Sequence, residues 1–296
     1  MKPLSRLKPL SPLSGYSTGF VGSLLSLCLF TTSAYADGSR LLATSGVTSL
    51  SGAAGGGLTP WAVISGYGDE GEYSAGAFYT ETATEAYRLN VKGASASYDN
   101  RVEVSAALQS FEIKGVAGDL RQEIYGIKTR LSGDAVYTRM PQISAGLQYK
   151  RLLDGAIAEA VGATDNQSGT DIYLSATKVH LAALAGRHVL WNLTLRATKA
   201  NQMGLLGYGG DDNDSYQLMP EASALVLLSD EVALGAEYRQ KPDNLSAFGE
   251  DEFYDVFVAW FPDKRVNLTA AYANLGRIAG SDDQSGLYLS LTTWFK

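Results

Sequence analysis

The 296-residue sequence is poor in the side chains that most often carry metal and redox chemistry. It has one cysteine, Cys28, and two histidines, His180 and His188. A cysteine-based zinc site and a disulfide framework are therefore excluded. No catalytic residue, metal site or cofactor can be assembled from what remains, and we expect the protein not to be an enzyme.

Long apolar runs and an excess of positive charge are also missing. Although 45% of the residues are hydrophobic, mean hydropathy is only −0.06, and after residue 36 no run approaches the roughly 20 apolar residues of a membrane helix. A helical membrane protein is thereby excluded. The formal net charge is −7, which argues against nucleic acid as a partner.

The N-terminus has the pattern of a secretory signal peptide. Three basic residues precede a short apolar stretch at 20–30, and Ala34-Tyr35-Ala36 supplies a small-residue cleavage site. We expect residues 1–36 to be removed, and Cys28 with them. The mature protein would then lie outside the inner membrane and contain no thiol.

Period-two alternation dominates the rest of the chain. VNLTAAY (266–272), VALGAEY (232–238) and ISAGLQY (143–149) each place apolar residues at alternate positions, as a β-strand with one apolar face does. Short turns and long connections alternate between twelve such segments, the first near 60–68 and followed by an acidic loop at 69–85. This layout predicts an all-β fold: an up-and-down, antiparallel transmembrane β-barrel of about 12 strands over residues 60–296, with periplasmic termini, in the outer membrane.

Aromatic residues recur near the predicted strand ends, where a barrel carries its interfacial girdles. The predicted girdle residues are Tyr87, Tyr149, Tyr238, Tyr272, Trp260 and Phe295.

The last segment, GLYLSLTTWFK, alternates in the same way and ends almost on an aromatic residue. It resembles the C-terminal strand by which the barrel-assembly machinery recognises outer-membrane proteins, except that Lys296 follows the aromatic. The resemblance implies that this machinery is a partner.

Two further stretches, LLATSGVTSLSGAAGGGLTPWAVISGYG (41–68) and EYRQKPDNL (237–245), resemble an uncharacterised family of proteobacterial outer-membrane β-barrel proteins, a domain-of-unknown-function family. The resemblance implies the barrel and its compartment. It implies no catalytic or binding residue.

Three local patterns resemble functional sites but lack a residue that each site needs. His180 and His188 lack a serine two positions away, so no phospholipase-like pair forms. The glycine run at 52–57 lacks the Gly-Lys-Ser/Thr of a phosphate loop. DDNDS at 211–215 lacks the glycine of a calcium loop, so we expect the acidic long loops to meet lipopolysaccharide through divalent ions rather than to hold a specific metal.

Two functions stay open at this point. The barrel is either a channel for passive passage of small polar solutes, including anionic or zwitterionic ones, or a closed barrel with a structural or surface-interaction role. Residues 37–59 are rich in small side chains and would form either a periplasmic tail or a plug in the lumen. The sequence predicts neither the solute nor the oligomeric state.

Assigning the polar face of each strand to the inside predicts two opposed lumen walls. The basic wall is Arg88, Lys92, Arg101, Lys128, Arg130 and Lys150, and the acidic wall is Glu221, Glu237 and Asp255. With Arg196 and Arg239 added, bases outnumber acids, which predicts a mild preference for anions.

Overall fold

A computed structural model describes residues 40–115 and 119–296. The predicted signal peptide, its cleavage site and Cys28 lie outside these residues. Within them, no helix is both long and apolar enough to span a bilayer.

The chain forms a closed antiparallel barrel in which each strand pairs with the next and the last pairs with the first. The barrel has twelve strands, which confirms the predicted fold class. They are β3 (Tyr73–Thr84), β4 (Tyr87–Tyr98), β5 (Val102–Ile113), β6 (Asp119–Ser132), β7 (Gln142–Leu152), β8 (Ser168–Leu184), β9 (Arg187–Thr198), β10 (Gln217–Leu227), β11 (Val232–Arg239), β12 (Phe253–Trp260), β13 (Val266–Asn274) and β14 (Ser285–Phe295).

The first barrel strand is not where the sequence predicted it. Residues 60–68 contain no strand, and β3 instead covers most of the stretch predicted as the loop 69–85. β3 alternates weakly because most of its inward positions, such as Ser74, Gly76 and Thr80, and its outward alanines are small. Small residues on both faces hide the period of two.

The two ends of the barrel differ in their connections. The end with Tyr73 and Phe295, here called the terminal rim, has turns at 99–101, 133–141, 185–186, 228–231 and 261–265. The opposite end, the loop rim, carries the long connections at 153–167, 199–216, 240–252 and 275–284, together with the shorter one at 85–86 and residues 114–115 after β5. The first long loop contains the helix α1 (Ala156–Ala160).

Residues 45–68, which precede β3, lie inside the barrel. Every residue from 45 to 68 is buried, and two short strands, β1 (Val47–Thr48) and β2 (Ala54–Gly55), pair there. We call residues 45–68 the lumenal segment. Leu50, Leu58 and Trp61 of this segment share one hydrophobic core with inward side chains of the wall, such as Ile124 and Phe257. The barrel therefore encloses a packed core instead of an empty bore.

The filled lumen as candidate functional site

Burial alternates along most of each barrel strand and distinguishes side chains that face the lumen from those that face outward. In β12, for example, Phe253, Asp255 and Phe257 are buried, whereas Tyr254 and Val256 are exposed on the outside. Five predicted girdle residues point outward in this way: Tyr149, Tyr238, Tyr272, Trp260 and Phe295.

Tyr87 does not belong to the girdle, and its assignment was wrong. It is 5% exposed, points inward, stacks on Phe111 with ring centroids 5.0 Å apart and donates a hydrogen bond to the carbonyl of Ile278 (3.0 Å). The whole of β4 has the opposite orientation from the prediction. Its apolar residues Leu89 and Val91 are buried in the lumen core.

The predicted basic wall is wrong at Arg88, Lys92 and Arg101, and its Arg130 reaches only the rim of the lumen. Arg88 and Lys92 are on the outer face, where Arg88 lies 3.5 Å from Glu81. Arg101 lies in an exposed turn beside Asp99 (3.7 Å). Arg130 is at the terminal rim and donates to the carbonyl of Gly133 (Nε to O, 3.0 Å).

The remaining charged residues form a buried ladder of ion pairs. Lys150 and Arg196 contact Asp171 (2.7 and 3.1 Å). Arg196 also contacts Glu221 (2.5 Å), to which Arg239 approaches at 3.5 Å. The ladder runs across neighbouring strands β7 to β11, so opposite charges alternate side by side. The two opposed walls that the sequence predicted do not form.

Asp255 is the exception to this pairing. Its carboxyl group is buried, and neither oxygen has a hydrogen-bond partner among the described residues. It pairs in register with Glu237 on the neighbouring strand.

Two carboxylates hold the backbone of the lumenal segment. The two oxygens of Glu103 accept hydrogen bonds from the amides of Ala54 (3.0 Å) and Ser65 (2.8 Å). Glu237 accepts from the amide of Leu58 (2.8 Å) and the hydroxyl of Thr59 (2.7 Å). Hydrogen bonds to an ionised acceptor are about twice as strong as neutral ones, so these four fix the segment firmly.

Cations satisfy carbonyls of the same segment. Lys128, paired with Glu103 at 3.0 Å, donates to the carbonyl of Ala54 (2.8 Å), and Arg239 donates to that of Leu58 (3.1 Å). Neutral side chains donate to further carbonyls of the segment. Gln109 donates to that of Leu50, Gln142 and Ser144 to that of Ala62, Ser97 to that of Ser65 and Thr194 to that of Pro60.

These neutral contacts were not predicted from the sequence. Single Gln, Ser and Thr residues on strands carry no signal of their own. The glycine run at 52–57 was a signal that could have been used, because a Cβ on Gly56 would collide with the Glu237 carboxylate and one on Gly57 would lie 3.0 Å from the Tyr288 ring. The run marks a close approach of backbone to wall.

A second segment fills the lumen near the loop rim. Residues 201–210 of the long connection are all buried. The carbonyl of Met203 accepts hydrogen bonds from Lys150 (2.9 Å) and Gln122 (3.3 Å), both on the barrel wall. The lumen is therefore occupied from both ends.

The two histidines and the acidic stretches noted in the sequence make local hydrogen bonds or lie at the terminal rim. His180 accepts a hydrogen bond from Trp191 Nε1 (3.0 Å) and His188 accepts one from the amide of Ala182 (3.0 Å). Asp211, in the stretch 211–215, caps the amide of Ser246 (3.0 Å). The acidic residues Asp69 to Glu72 lie at the terminal rim, not in an outer loop, because β3 follows them.

Three porins or outer-membrane proteins of known structure are similar to this chain in fold. The KdgM porin superposes with a TM-score of 0.50 at 10% identity, covering 75% of this chain and 99% of that one. The NanC porin (TM-score 0.44, 10% identity, 76% and 100% covered) and the outer-membrane protein Omp33 of Acinetobacter baumannii (0.43, 10%, 77% and 100%) are also similar. These similarities concern the fold.

At the sequence level, no curated protein matches the chain. One family model does match, over residues 44–292, and its description is "Protein of unknown function (DUF3034)". The match begins one residue before the lumenal segment and ends in the last barrel strand, so segment and barrel belong to one unit. The chain is a member of the DUF3034 family.

Proposed function

We propose that the protein is a non-enzymatic outer-membrane channel for small polar solutes, and that in the described state the lumenal segment closes it. The terminal rim would face the periplasm, and the loop rim the outside. The outward aromatic and aliphatic side chains of the barrel support placement in a bilayer.

The proposal rests on the small inward side chains of the wall and on the lumenal segment that occupies the space between them. Many inward wall positions hold small hydroxyl residues, which leave space along the axis: Ser95, Ser97, Ser144, Ser175, Thr177, Ser223, Ser290 and Thr292. A segment that precedes the barrel in the chain, and is attached to its wall by hydrogen bonds and packing, occupies this space. Such a segment can leave without breaking the barrel, which large wall side chains cannot do.

The charges of the wall bear on the solute. Lys128, Lys150, Arg196 and Arg239 face five inward acids, Glu103, Asp171, Glu221, Glu237 and Asp255. The anion preference expected from the sequence therefore loses its basis. We propose polar solutes of either sign, with a slight preference for cations once the segment has moved.

A closed barrel with a structural or surface role is the second candidate. The burial of residues 201–210 supports it, because a channel would need this loop to move as well. In both cases the acidic long loops are proposed to meet lipopolysaccharide through divalent ions, and β14 to contact the barrel-assembly machinery.

Conductance in a planar bilayer tests the proposal. We expect the full mature chain to be closed for most of the recording, a variant lacking residues 45–66 to conduct whenever residues 201–210 move aside, and a variant lacking both segments to conduct steadily. A matched variant lacking residues 201–210 is expected to stay closed, because the lumenal segment is still present. Failure of a variant lacking both segments to conduct, although its barrel is folded, would reject the channel and leave the closed barrel.

A further inference from the structure

A cavity of about 350 Å³ opens at the terminal rim between the lumenal segment and the wall. Its inner lining is apolar and includes Val47, Trp61, Val63, Leu190, Leu225 and Phe257. Trp61 Nε1 donates to Ser223 (2.9 Å), so the polar edge of its ring is already satisfied and the carbon face is available to the cavity.

The size and lining together indicate an apolar occupant. An engineered apolar cavity of about 150 Å³ stays dry and binds benzene, and natural ligand pockets begin at about 300 Å³. This cavity has roughly twice the volume of the benzene-binding one, enough for a chain of about ten to fourteen carbons. Water gains few hydrogen bonds against such a lining.

The mouth of the cavity has a different chemistry. Arg40, His188 and Lys264 line it, against one acid, Asp230. The Arg40 guanidinium is held in place by the carbonyls of Gly66 (2.7 Å) and Thr44 (2.8 Å). An apolar interior beneath a mainly basic mouth is complementary to an amphiphile with an anionic head group.

We infer that this cavity binds a medium-chain alkyl carboxylate that enters from the terminal rim, with its chain against Trp61 and Phe257 and its carboxylate near Arg40. The inference does not depend on passage through the lumen, since the site lies to one side of the lumenal segment. Each methylene added to the chain should tighten binding roughly fourfold until the cavity is full.

Quenching of tryptophan fluorescence by dodecanoate brominated at its terminal carbon provides the test. The protein is the full mature chain in nanodiscs, carrying Trp191→Phe and Trp260→Phe so that the outward-facing indoles do not report lipid-borne probe. We expect saturable quenching that unlabelled dodecanoate reverses. Adding Trp61→Phe should remove the saturable part, and quenching that persists unchanged in that variant overturns the site.

A matched pair of variants on β11 separates filling of the cavity from general disturbance. Ala233 is buried and lines the cavity, whereas Ala236 is exposed on the outer face of the same strand. Ala233→Phe should weaken binding at least tenfold and Ala236→Phe should leave it unchanged. Equal affinity in the two variants contradicts the inference.

Arg40→Gln tests whether Arg40 recognises the carboxylate. It adds no bulk to the core, so it still tests the proposed site if Ala233→Phe does not fold. We expect it to weaken binding of dodecanoate about tenfold and to leave binding of dodecanol unchanged. Parallel loss for both compounds, or equal affinity of the unsubstituted protein for acid and alcohol, overturns the assignment of a carboxylate.

Discussion

At the scale of single residues, the closed state depends on carboxylates that accept hydrogen bonds from backbone. Glu103 uses both oxygens for amides of the lumenal segment while its charge is balanced by Lys128. Among the described residues, no cation forms an ion pair with Glu237, which relies on amide and hydroxyl donors. Neutral wall residues add bonds of lower strength.

Replacing both carboxylates by amides should release the segment. A glutamine side chain has only one acceptor oxygen, so in Glu103→Gln and Glu237→Gln a nitrogen faces a donor that an oxygen accepted before. Hydrogen bonds to charged groups contribute about 1.5–3 kcal/mol each, so loss of one corresponds to at least a tenfold rise in open probability. Single-channel recording measures this rise.

Glu81→Gln with Glu123→Gln is the matched control, because these two carboxylates lie on the outer face and pair with Arg88 and Arg151. The control should conduct like the unsubstituted protein. An open probability that rises equally in both double variants would contradict a specific role of Glu103 and Glu237.

Gly56 offers a smaller perturbation of the same contact. A methyl group there would collide with the Glu237 carboxylate, which is itself fixed by Thr59 and Ser223. Gly56→Ala should therefore shift the segment and raise open probability. Gly249→Ala is the control, since its methyl group would meet only the end of the flexible Arg277 side chain; an effect of equal size there would argue against the contact.

At the scale of elements, the sequence predicts strand number and pairing order better than which face is inside. In β11 and β13 the alternation predicts correctly which side chains face inward and which face outward, because the outward residues are the apolar ones. In β4 the rule fails. Leu89 and Val91 turn inward because the lumenal segment gives that wall a protein core to pack against, and Arg88 is tolerated outside beside Glu81.

The lumen network could be predicted only in part. Glu221, Glu237 and Lys150 stand out because a charged side chain on an alternating strand is costly on the lipid-facing side. Their partners depend on which strands are neighbours and on a segment with no strand pattern of its own. A contact such as Gln142 with the carbonyl of Ala62 (2.6 Å) is fixed by the tertiary fold alone.

The long connection at 240–252 on the loop rim contains a pH-dependent contact. Glu250 and Lys241 form a buried pair (2.9 Å), and burial raises the pKa of Glu250 from 4.5 to about 7. Because the pKa of Glu250 is higher in the folded loop than in the unfolded chain, protonation of Glu250 stabilises the folded loop. This contribution is complete below pH 4.5 and is lost as pH rises through 7. Hydrogen exchange of residues 242–252, corrected for intrinsic rates, should show severalfold stronger protection at pH 5 than at pH 8.

Glu250→Gln provides the control for this titration. The amide cannot ionise, so protection of the same residues should no longer differ between the two pH values. Equal protection at pH 5 and pH 8 in the unsubstituted protein would contradict the raised pKa.

At the scale of the whole molecule, the structure combines a lipid-facing barrel with an interior packed like that of a soluble protein. The hydrogen-bonded closure of β14 on β3 leaves no free sheet edge. We expect the barrel to resist detergent until it is heated, with different gel mobility before and after boiling. The variant lacking residues 45–66 should keep this behaviour, and its loss there would mean that the segment is needed for the barrel itself.

A reversible lock of the lumenal segment tests the central claim most directly. The hydroxyl oxygens of Thr48 and Thr292 are 3.2 Å apart, so a Thr48→Cys, Thr292→Cys pair would place two thiols close together, and a disulfide between them would join segment and wall. The measurement is the conductance of this pair combined with Glu103→Gln and Glu237→Gln, recorded before and after a reductant is added to the same bilayer. We predict a closed channel that opens on reduction. Conductance that is the same before and after reduction, with the disulfide shown to form and break, would contradict closure by the lumenal segment.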